Sequence, residues 1–461
     1  MKHMNKFLLA GLMSVGLISC SKNLEIQSET SLSPEQLLTT SDGVVSVLYG
    51  GYSTLVAGSC YGTDFIMAGE LLAGDGDIFW RGTFQTYRDI FNKQQIAVDP
   101  TAQRMWINSY KAINSLNNVL KAISVVNEDI RDNIEGEAKF LRGLYYFNLI
   151  QYFAQPWSKS AGNDPLGVPL ILQPVENLDN LQVSRNSVKE VYDQVISDLS
   201  DAKAKLPESN DNGRADKSAA SAILSRVYLQ QANYAGAAAE ANAVIEFDET
   251  LAPSVSVLFN NSGNSAEDIF AVQQNSQVNV GSYQGVGNGN DGLVTFFASL
   301  PGVGRGDVDI QQAHINKYSN GDDRKALFYL TQGNGQNANA MRSSKWRELY
   351  KVITVVRRAE MYLTRAEANY RNSSAVGASP LDDINAVRTR ANVPPLANIA
   401  NADVIVNERL LELAFEGDKL WTLKRLKKNI GTRAYDDSKL VLPIPQRERD
   451  ANPNIAQNPT F

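Results

Sequence analysis

Apolar residues recur at helical spacing over two stretches of the chain, residues 100–246 and 350–426, and lose that spacing between them. In "RMWINSYKAINSLNNVLKAI", Trp106, Tyr110, Ile113, Leu116 or Asn117, and Leu120 fall on one stripe, which predicts an amphipathic helix. "EGEAKFLRGLYYFNLIQYF" predicts a second, with Ala138, Leu141, Tyr145, Leu149 and Tyr152 or Phe153 on its face. "SVKEVYDQVISDLSDAKAKLP" opens on Ser187 with Glu190 three residues on, the pattern of a capping box, and stops before Pro207. "SAASAILSRVYLQQANYAGAAAEANAVIE" predicts two helices joined at Gln231 to Tyr234. Ala219, Ala222, Ala237, Ala238 and Ala241 allow close approach, and Tyr228, Leu229 and Val244 fill the rest. This unit resembles one tetratricopeptide hairpin, which must stack on neighbours to bury its faces. No strict 34-residue period repeats it, so any repeats are degenerate. Further helices are expected from Val355 to about Tyr370, from Pro380 to Ala391 and from Asn401 to Leu426.

Elsewhere the pattern is different. Ser33-Pro-Glu reads as a helix start, and the segment from Tyr61 to Gln95 as loops with short helical pieces. Between Phe247 and Tyr350, "NSQVNVGSYQGVGNGNDGLVTFF" and "TQGNGQNANAMRSS" are Gly/Asn-rich, and long loops of this kind tend to carry function. The tail "LVLPIPQRERDANPNIAQNPTF" is expected to be extended and docked. The fold class that follows is mainly α, with tetratricopeptide-like hairpins packed against a loop-rich region. The expected organisation is a leader at 1–19 and then one domain over 20–461. Its helical scaffold lies at 100–246 and 350–426, its loops at about 60–95 and 250–350, and its tail at 440–461.

The start of the chain sets a compartment. Lys2 and Lys6 precede the apolar run "FLLAGLMSVGLIS", and no acidic residue occurs before Glu25. A basic start, a short apolar run and a small residue at the cut make a secretory signal. The run is too short for a spanning helix, which needs about 20 apolar residues. Leu17-Ile18-Ser19-Cys20 is similar to the bacterial lipoprotein cleavage box, so Cys20 is expected to carry the lipid anchor. Cys60, the only other cysteine, then has no partner, and an exported fold without a disulfide rests on its core. A hydrophobic content of 43% is enough for one. The net charge of −6, with no basic block, argues against nucleic acid as a partner.

Catalytic and metal motifs are scarce. A Ser-His-Asp or Cys-His device would rest on His314, which in a polar loop reads as a surface residue. "GDGD" starts like a calcium loop, but the twelfth position from Asp75 is Thr86 rather than Glu. "PGVGRGD" lacks the strand-to-helix context and the lysine of a phosphate loop. Spacing singles out no carboxylate pair for glycoside hydrolysis. Glu360 and Glu367 share one helix face, and Glu408, Glu412 and Glu416 follow at intervals of four. Arg357, Arg388, Arg390 and Arg409 are close enough in sequence to pair with them, which favours structural ion pairs over catalysis.

The same stretches carry a family pattern. "RRAEMYLTRAEA", "INAVRTRA", "ERLLELAFEGDKLWTLKR" and "LPIPQRERDANPNIAQNP" occur in the order seen in the SusD/RagB family of outer-membrane nutrient-binding lipoproteins. "GEAKFLRGLYYF" and the cleavage box agree with it, so the resemblance covers nearly the whole chain. Thr422, Lys419 and the closing Thr-Phe depart from the pattern, all in scaffold positions. The resemblance implies binding without chemistry and no cofactor or metal. It implies a lipid-anchored protein on the exterior face of the outer membrane, holding a glycan or, in some branches, a peptide. The implied partner is a SusC-like TonB-dependent transporter. A surface glycoside hydrolase and a purely structural adaptor are the competing readings. Flat aromatic faces with a few hydrogen-bonding groups suit either ligand. Two loops supply them: Asp75, Asp77, Trp80 and Arg81 in the first, similar in placement to the family's N-terminal ligand-contacting loop, and Tyr283, Asn288, Asn290 and Asp291 in the second, with Trp346 behind them. Trp80 and Tyr283 are expected to converge on one exposed pocket.

Overall fold

The computed structural model describes residues 34–159, 164–175, 182–280, 292–300, 303–331 and 339–461. After a single turn at Pro34–Leu37, helix α1 (Ser41–Val56) starts where the Thr40 side chain accepts from the Gly43 N–H. Helix α2 (Asp64–Ala73), strand β1 (Ile78–Trp80) and helix α3 (Gln85–Phe91) lie in the stretch read as loops with short helical pieces. All ten residues of α2 are buried, so its run "DFIMAGELLA" carries no one-sided stripe to detect. Helix α4 (Pro100–Lys121) follows an Asp99 cap with Pro100 in the first turn, and α5 is Glu128–Phe153. Helix α6 (Val188–Lys205) begins at the expected capping box of Ser187 and Glu190. The alanine-rich pair is α7 (Lys217–Gln230) and α8 (Tyr234–Phe247), turned at an Asn233 cap.

Residues 248–352 then leave the helical pattern. They carry β2 (Asp268–Val272), the short helix α9 (Leu293–Phe297), β3 (Val308–Ile310), α10 (Gln312–Ile315), β4 (Phe328–Leu330) and β5 (Met341–Ser343). Strand β6 (Ile353–Arg357) closes the insertion and runs directly into α11 (Arg358–Asn372). The helix expected from Val355 starts three residues later, because the β-branched run Ile353 to Val356 favours an extended backbone. Helix α12 (Pro380–Arg390) is capped by Ser379. The helix expected from Asn401 to Leu426 is two, α13 (Ala402–Glu412) and α14 (Lys419–Arg425), parted where Phe415 and Gly417 take positive φ of 64° and 85°. The tail is extended apart from α15 (Gln446–Ala451), and it docks through Leu442 N–H to the Tyr152 carbonyl and Asn458 to the Phe153 and Leu442 carbonyls.

The helices stack in order, α4 on α5, α5 on α6, α6 on α7 and α7 on α8. The stack then continues from α8 directly to α11 and on to α12, so the intervening segment is an insertion between neighbouring helices. Close approach depends on small residues. Ala219, Ala222, Ala237, Ala238 and Ala241 are fully buried, and a Cβ on Gly143 of α5 would lie 3.1 Å from Leu199 of α6. The described strands form three separate antiparallel ribbons, β1–β3, β2–β6 and β4–β5. None of the described helices is long and apolar enough to cross a membrane.

The acidic residues of α11, α13 and the turn after it meet arginines, although Glu367 takes Arg371 and Arg425 rather than one of the four arginines named from the sequence. Arg357 donates to Glu412 at 2.6 Å and to Glu416 at 2.8 Å, Arg388 to Glu408 at 2.7 Å, and Arg409 to Glu360 at 3.0 Å. Arg390 reaches Glu412 as well. Burial alone would raise the Glu412 carboxyl, but Arg390, Arg357 and Arg324 hold it well below the usual carboxylate range. These groups are locked into one another, which fits an architectural role for them.

Candidate functional site

The β1–β3 ribbon brings the first candidate loop to the surface. Its register pairs Ile78 with Ile310, Phe79 with Asp309 and Trp80 with Val308, and side chains alternate between the two faces. Ile78, Trp80, Val308 and Ile310 therefore face the core. Phe79 and, beyond the strand, Arg81 share the outward face with Asp307 and Asp309. The Arg81 N–H continues the ladder by donating to the Asp307 carbonyl at 2.8 Å.

This alternation corrects the expectation for Trp80. Its ring is 4% exposed and packs against Tyr87 and Phe296 at 5.4 and 5.8 Å, so it cannot stack on a ligand in an exposed pocket as placed. Its indole N–H meets no acceptor among the described residues. Phe79, one residue earlier, is 48% exposed instead. Sequence reasoning selected the larger aromatic and missed the one on the outer face, because a three-residue strand is too short to show its alternation. Tyr283, Asn288, Asn290 and Asp291 lie outside the described residues, as does Cys20. Trp346 is buried, with its indole N–H donating to the Phe415 carbonyl at 3.2 Å.

Arg81 stays at the surface. Its side chain is 47% exposed and pairs with Asp309, and its guanidinium lies 5.6 Å from the Phe79 ring centroid. Arg342 reaches the same Asp309 from β5, so one carboxylate orients two guanidinium groups. Beside them Arg305, 44% exposed and paired with Asp307, lies 4.5 Å from the ring centroid of the half-buried Phe84. The result is a surface of aromatic rings edged by oriented cations, held by a rigid layer beneath.

Asp77 serves that underlying layer, whereas the Asp75 side chain is 40% exposed. Asp75 pairs with Lys93 at 2.8 Å. Asp77 is 5% exposed and gathers Lys317 at 2.5 Å, Lys419 at 2.7 Å and the His314 Nδ1 at 3.5 Å, tying β1 to α10 and α14. Burial would raise its carboxyl, but the His314 hydrogen bond and the two lysines pull it well below the ordinary range. Asp77 is thus held away from any ligand. His314 is buried rather than on the surface, with Nε2 3.2 Å from the Tyr318 hydroxyl and Phe415 against its ring. Burial lowers its pKa, with Asp77 opposing. Glu70 of α2 accepts from the Gly417 N–H at 2.8 Å, and burial pushes it up to about 7 against the pull of that N–H and Lys419. Among the described residues no cluster of histidine, cysteine and carboxylate side chains could hold a metal ion.

Comparison with known proteins agrees with this architecture. Residues 74–229 match the family model described as "Starch-binding associating with outer membrane", and residues 314–439 match the model of the SusD family. A SusD-like protein of Formosa agariphila, P2, is 25% identical over 96% of each chain. A SusD superfamily protein of Bacteroides thetaiotaomicron superposes with a TM-score of 0.82 at 25% identity, over 91% of this chain and 100% of that one. A SusD-like carbohydrate binding protein of Bacteroides vulgatus has the same fold, with a TM-score of 0.78 at 22% identity over 90% of this chain and 97% of that one. The helical stack, the loop-rich insertion seated on it and the paired motif carboxylates of α11 and α13 are accordingly those of a member of the SusD/RagB family.

Proposed function

We propose that this protein is a lipoprotein of the outer-membrane surface, anchored through Cys20, that captures a glycan oligomer and passes it to a SusC-like TonB-dependent transporter. The observation that carries the reading is the outward face of the β1–β3 ribbon, where the exposed Phe79 ring stands beside Arg81 over a fixed Asp309. A pyranose has one apolar face for a ring to stack on and equatorial hydroxyls for charged groups to bond, and such sites need few but well-oriented polar groups. The relatives support the same class, starch-binding in one family model and carbohydrate binding in the Bacteroides vulgatus structure. Capture without turnover fits the motif carboxylates being locked in ion pairs. The loops of 60–95 and 250–350 are then the ligand side and the helical stack is the side offered to the transporter.

The deciding experiment is calorimetry of the full chain against neutral and acidic oligosaccharides and a set of extended peptides. Binding of at least one oligosaccharide, with no new reducing ends released, is the expected result. Binding of peptides alone moves the ligand to the other class, and release of reducing ends makes the protein a hydrolase. Cys20→Ala should shift the protein out of the membrane fraction and abolish labelled-palmitate incorporation. Gentle detergent extraction should yield it together with a β-barrel transporter; recovery of the protein alone at every salt tested counts against delivery.

A further inference from the structure

A cavity of about 340 Å³ lies away from the ribbon, between the second half of α1, strand β2 and the turn at Asp211–Gly213. It shares no residue with the face of Phe79 and Arg81. Its volume falls within the roughly 300–1,000 Å³ of small-molecule sites. Leu55, Phe270 and Val272, each under 5% exposed, form its apolar floor. Tyr49, 45% exposed, stands at its edge with the Arg214 guanidinium 5.4 Å from its ring centroid.

The polar end of this cavity is built rather than incidental. Arg214 is clamped by the fully buried Glu137, with Nε 2.7 Å from Oε2 and Nη2 on Oε1. The Tyr52 hydroxyl donates to the same carboxylate at 2.6 Å and accepts from the Ala215 N–H at 3.0 Å. That clamp leaves Nη1 with a single long contact, 3.4 Å to the Tyr49 hydroxyl. Gln273 is fixed beside it, its amide donating to Asn264 at 2.7 Å while the turn folds over it at Gly213, where φ is +69° and a Cβ would lie 2.5 Å from that amide. Gln273 lines the cavity together with Arg214 and Tyr49, so an amide joins the guanidinium and the phenol at this end.

We propose that this cavity is a second sugar subsite, taking one pyranose ring with its apolar face on the Tyr49 side and its hydroxyl edge on Arg214 and Gln273. The class of ligand rests on the glycan reading of the ribbon; the location does not. An apolar floor, one exposed ring and a donor–acceptor pair at a single end match the two-sided chemistry of a sugar ring. Two separated single-ring sites would let one long glycan be held at two points, which strengthens capture through effective concentration.

The test uses the full chain and the methyl glycosides of glucose, galactose, mannose and xylose at millimolar concentration, read by saturation-transfer difference NMR. Wild type, Tyr49→Ala and Phe79→Ala are compared, and circular dichroism verifies folding. At least one glycoside should give a signal that survives Phe79→Ala and falls tenfold or more in apparent affinity in Tyr49→Ala. Tyr49→Ala binding every glycoside as wild type does, with losses only in Phe79→Ala, overturns the subsite and leaves the ribbon reading standing. Loss in Tyr49→Ala with no change in Phe79→Ala supports the subsite and removes the ribbon. If N-acetyl-tyrosinamide binds where every glycoside fails, the cavity takes a peptide side chain and the proposal falls.

Discussion

Arginine–carboxylate pairs organise both the junction of α11 with α13 and the outer face of the β1–β3 ribbon, yet the two sets differ in exposure. At the junction Arg357 is 1% exposed and faces three carboxylates, Glu412 and Glu416 from one stretch and Glu267 from another. On the ribbon Arg81 has one carboxylate, and nearly half of its side chain meets solvent. A buried guanidinium surrounded by anions fixes how elements cross, because removing it strands charge in a low-dielectric interior. A half-exposed one keeps donors directed outward at little structural cost. The same chemistry is thus architecture in one region and, on the proposed reading, a recognition surface in the other.

The sharpest way to break this contrast is to truncate each arginine. Arg357→Ala should destabilise the fold by about 3–5 kcal/mol, because three carboxylates lose their common partner. Arg81→Ala should change stability by no more than about 1 kcal/mol, as expected for a pair at the surface. Urea denaturation measures both, and equal losses would erase the distinction.

The aromatic pair on β1 divides in the same way. Trp80→Ala should cost about 3–5 kcal/mol of stability, the range for deleting a large buried ring. Phe79→Ala should leave the denaturation midpoint close to wild type and weaken oligosaccharide binding by about 1–3 kcal/mol, the cost of losing a stacking anchor. Calorimetry alongside denaturation tests both variants, and a Phe79→Ala protein with full affinity would move the site elsewhere.

Acid titration gives the smallest and most selective readout. Glu367, paired with Arg425 and Arg371, is held at about 2 although burial would raise it. A folded value below the ordinary 4.5 means its contribution is present above about pH 4.5 and lost as pH falls towards 2. Glu70, beneath the ribbon, is raised to about 7, so its contribution is present below about pH 4.5 and lost as pH rises through 7. Glu70→Gln should flatten stability between pH 4.5 and 7 and leave the acid limb unchanged. Glu367→Gln should weaken the protein at neutral pH and reduce its acid sensitivity. Denaturation midpoints at pH 3, 5, 6 and 8 separate the two, and an unchanged slope in Glu70→Gln would mean that its carboxyl titrates normally.

Periodicity and caps were legible wherever a helix has one wet face. Trp106 and Ile113 on α4, the Ser187–Glu190 box on α6 and the alanine seam of α7 and α8 all stand where the spacing places them. That Arg357, Arg388, Arg390 and Arg409 would serve as partners of the motif carboxylates was legible too, but which carboxylate each meets was set by packing between elements. Helix α2 was not, because an element buried on every side has no contrast along its sequence. The break between α13 and α14 was also hidden, since Phe415 in a left-handed conformation is a choice of the surrounding fold.

What the sequence determined by itself is therefore local and periodic: the stacked helices, their caps, their seams of small residues and the family to which those motifs belong. What only the tertiary structure decided is which side chains face outward where periods are short. Strand β1 has three residues, too few to announce its alternation, and its inner face is set by the pairing of Trp80 with Val308, contributed from more than two hundred residues away. Long-range pairing of that kind turned Trp80 inward and Phe79 outward, sank Asp77 and His314 beneath the surface, and left Arg81 at the rim. Register between distant strands is an energy of the assembled core, and no stretch of sequence contains it alone.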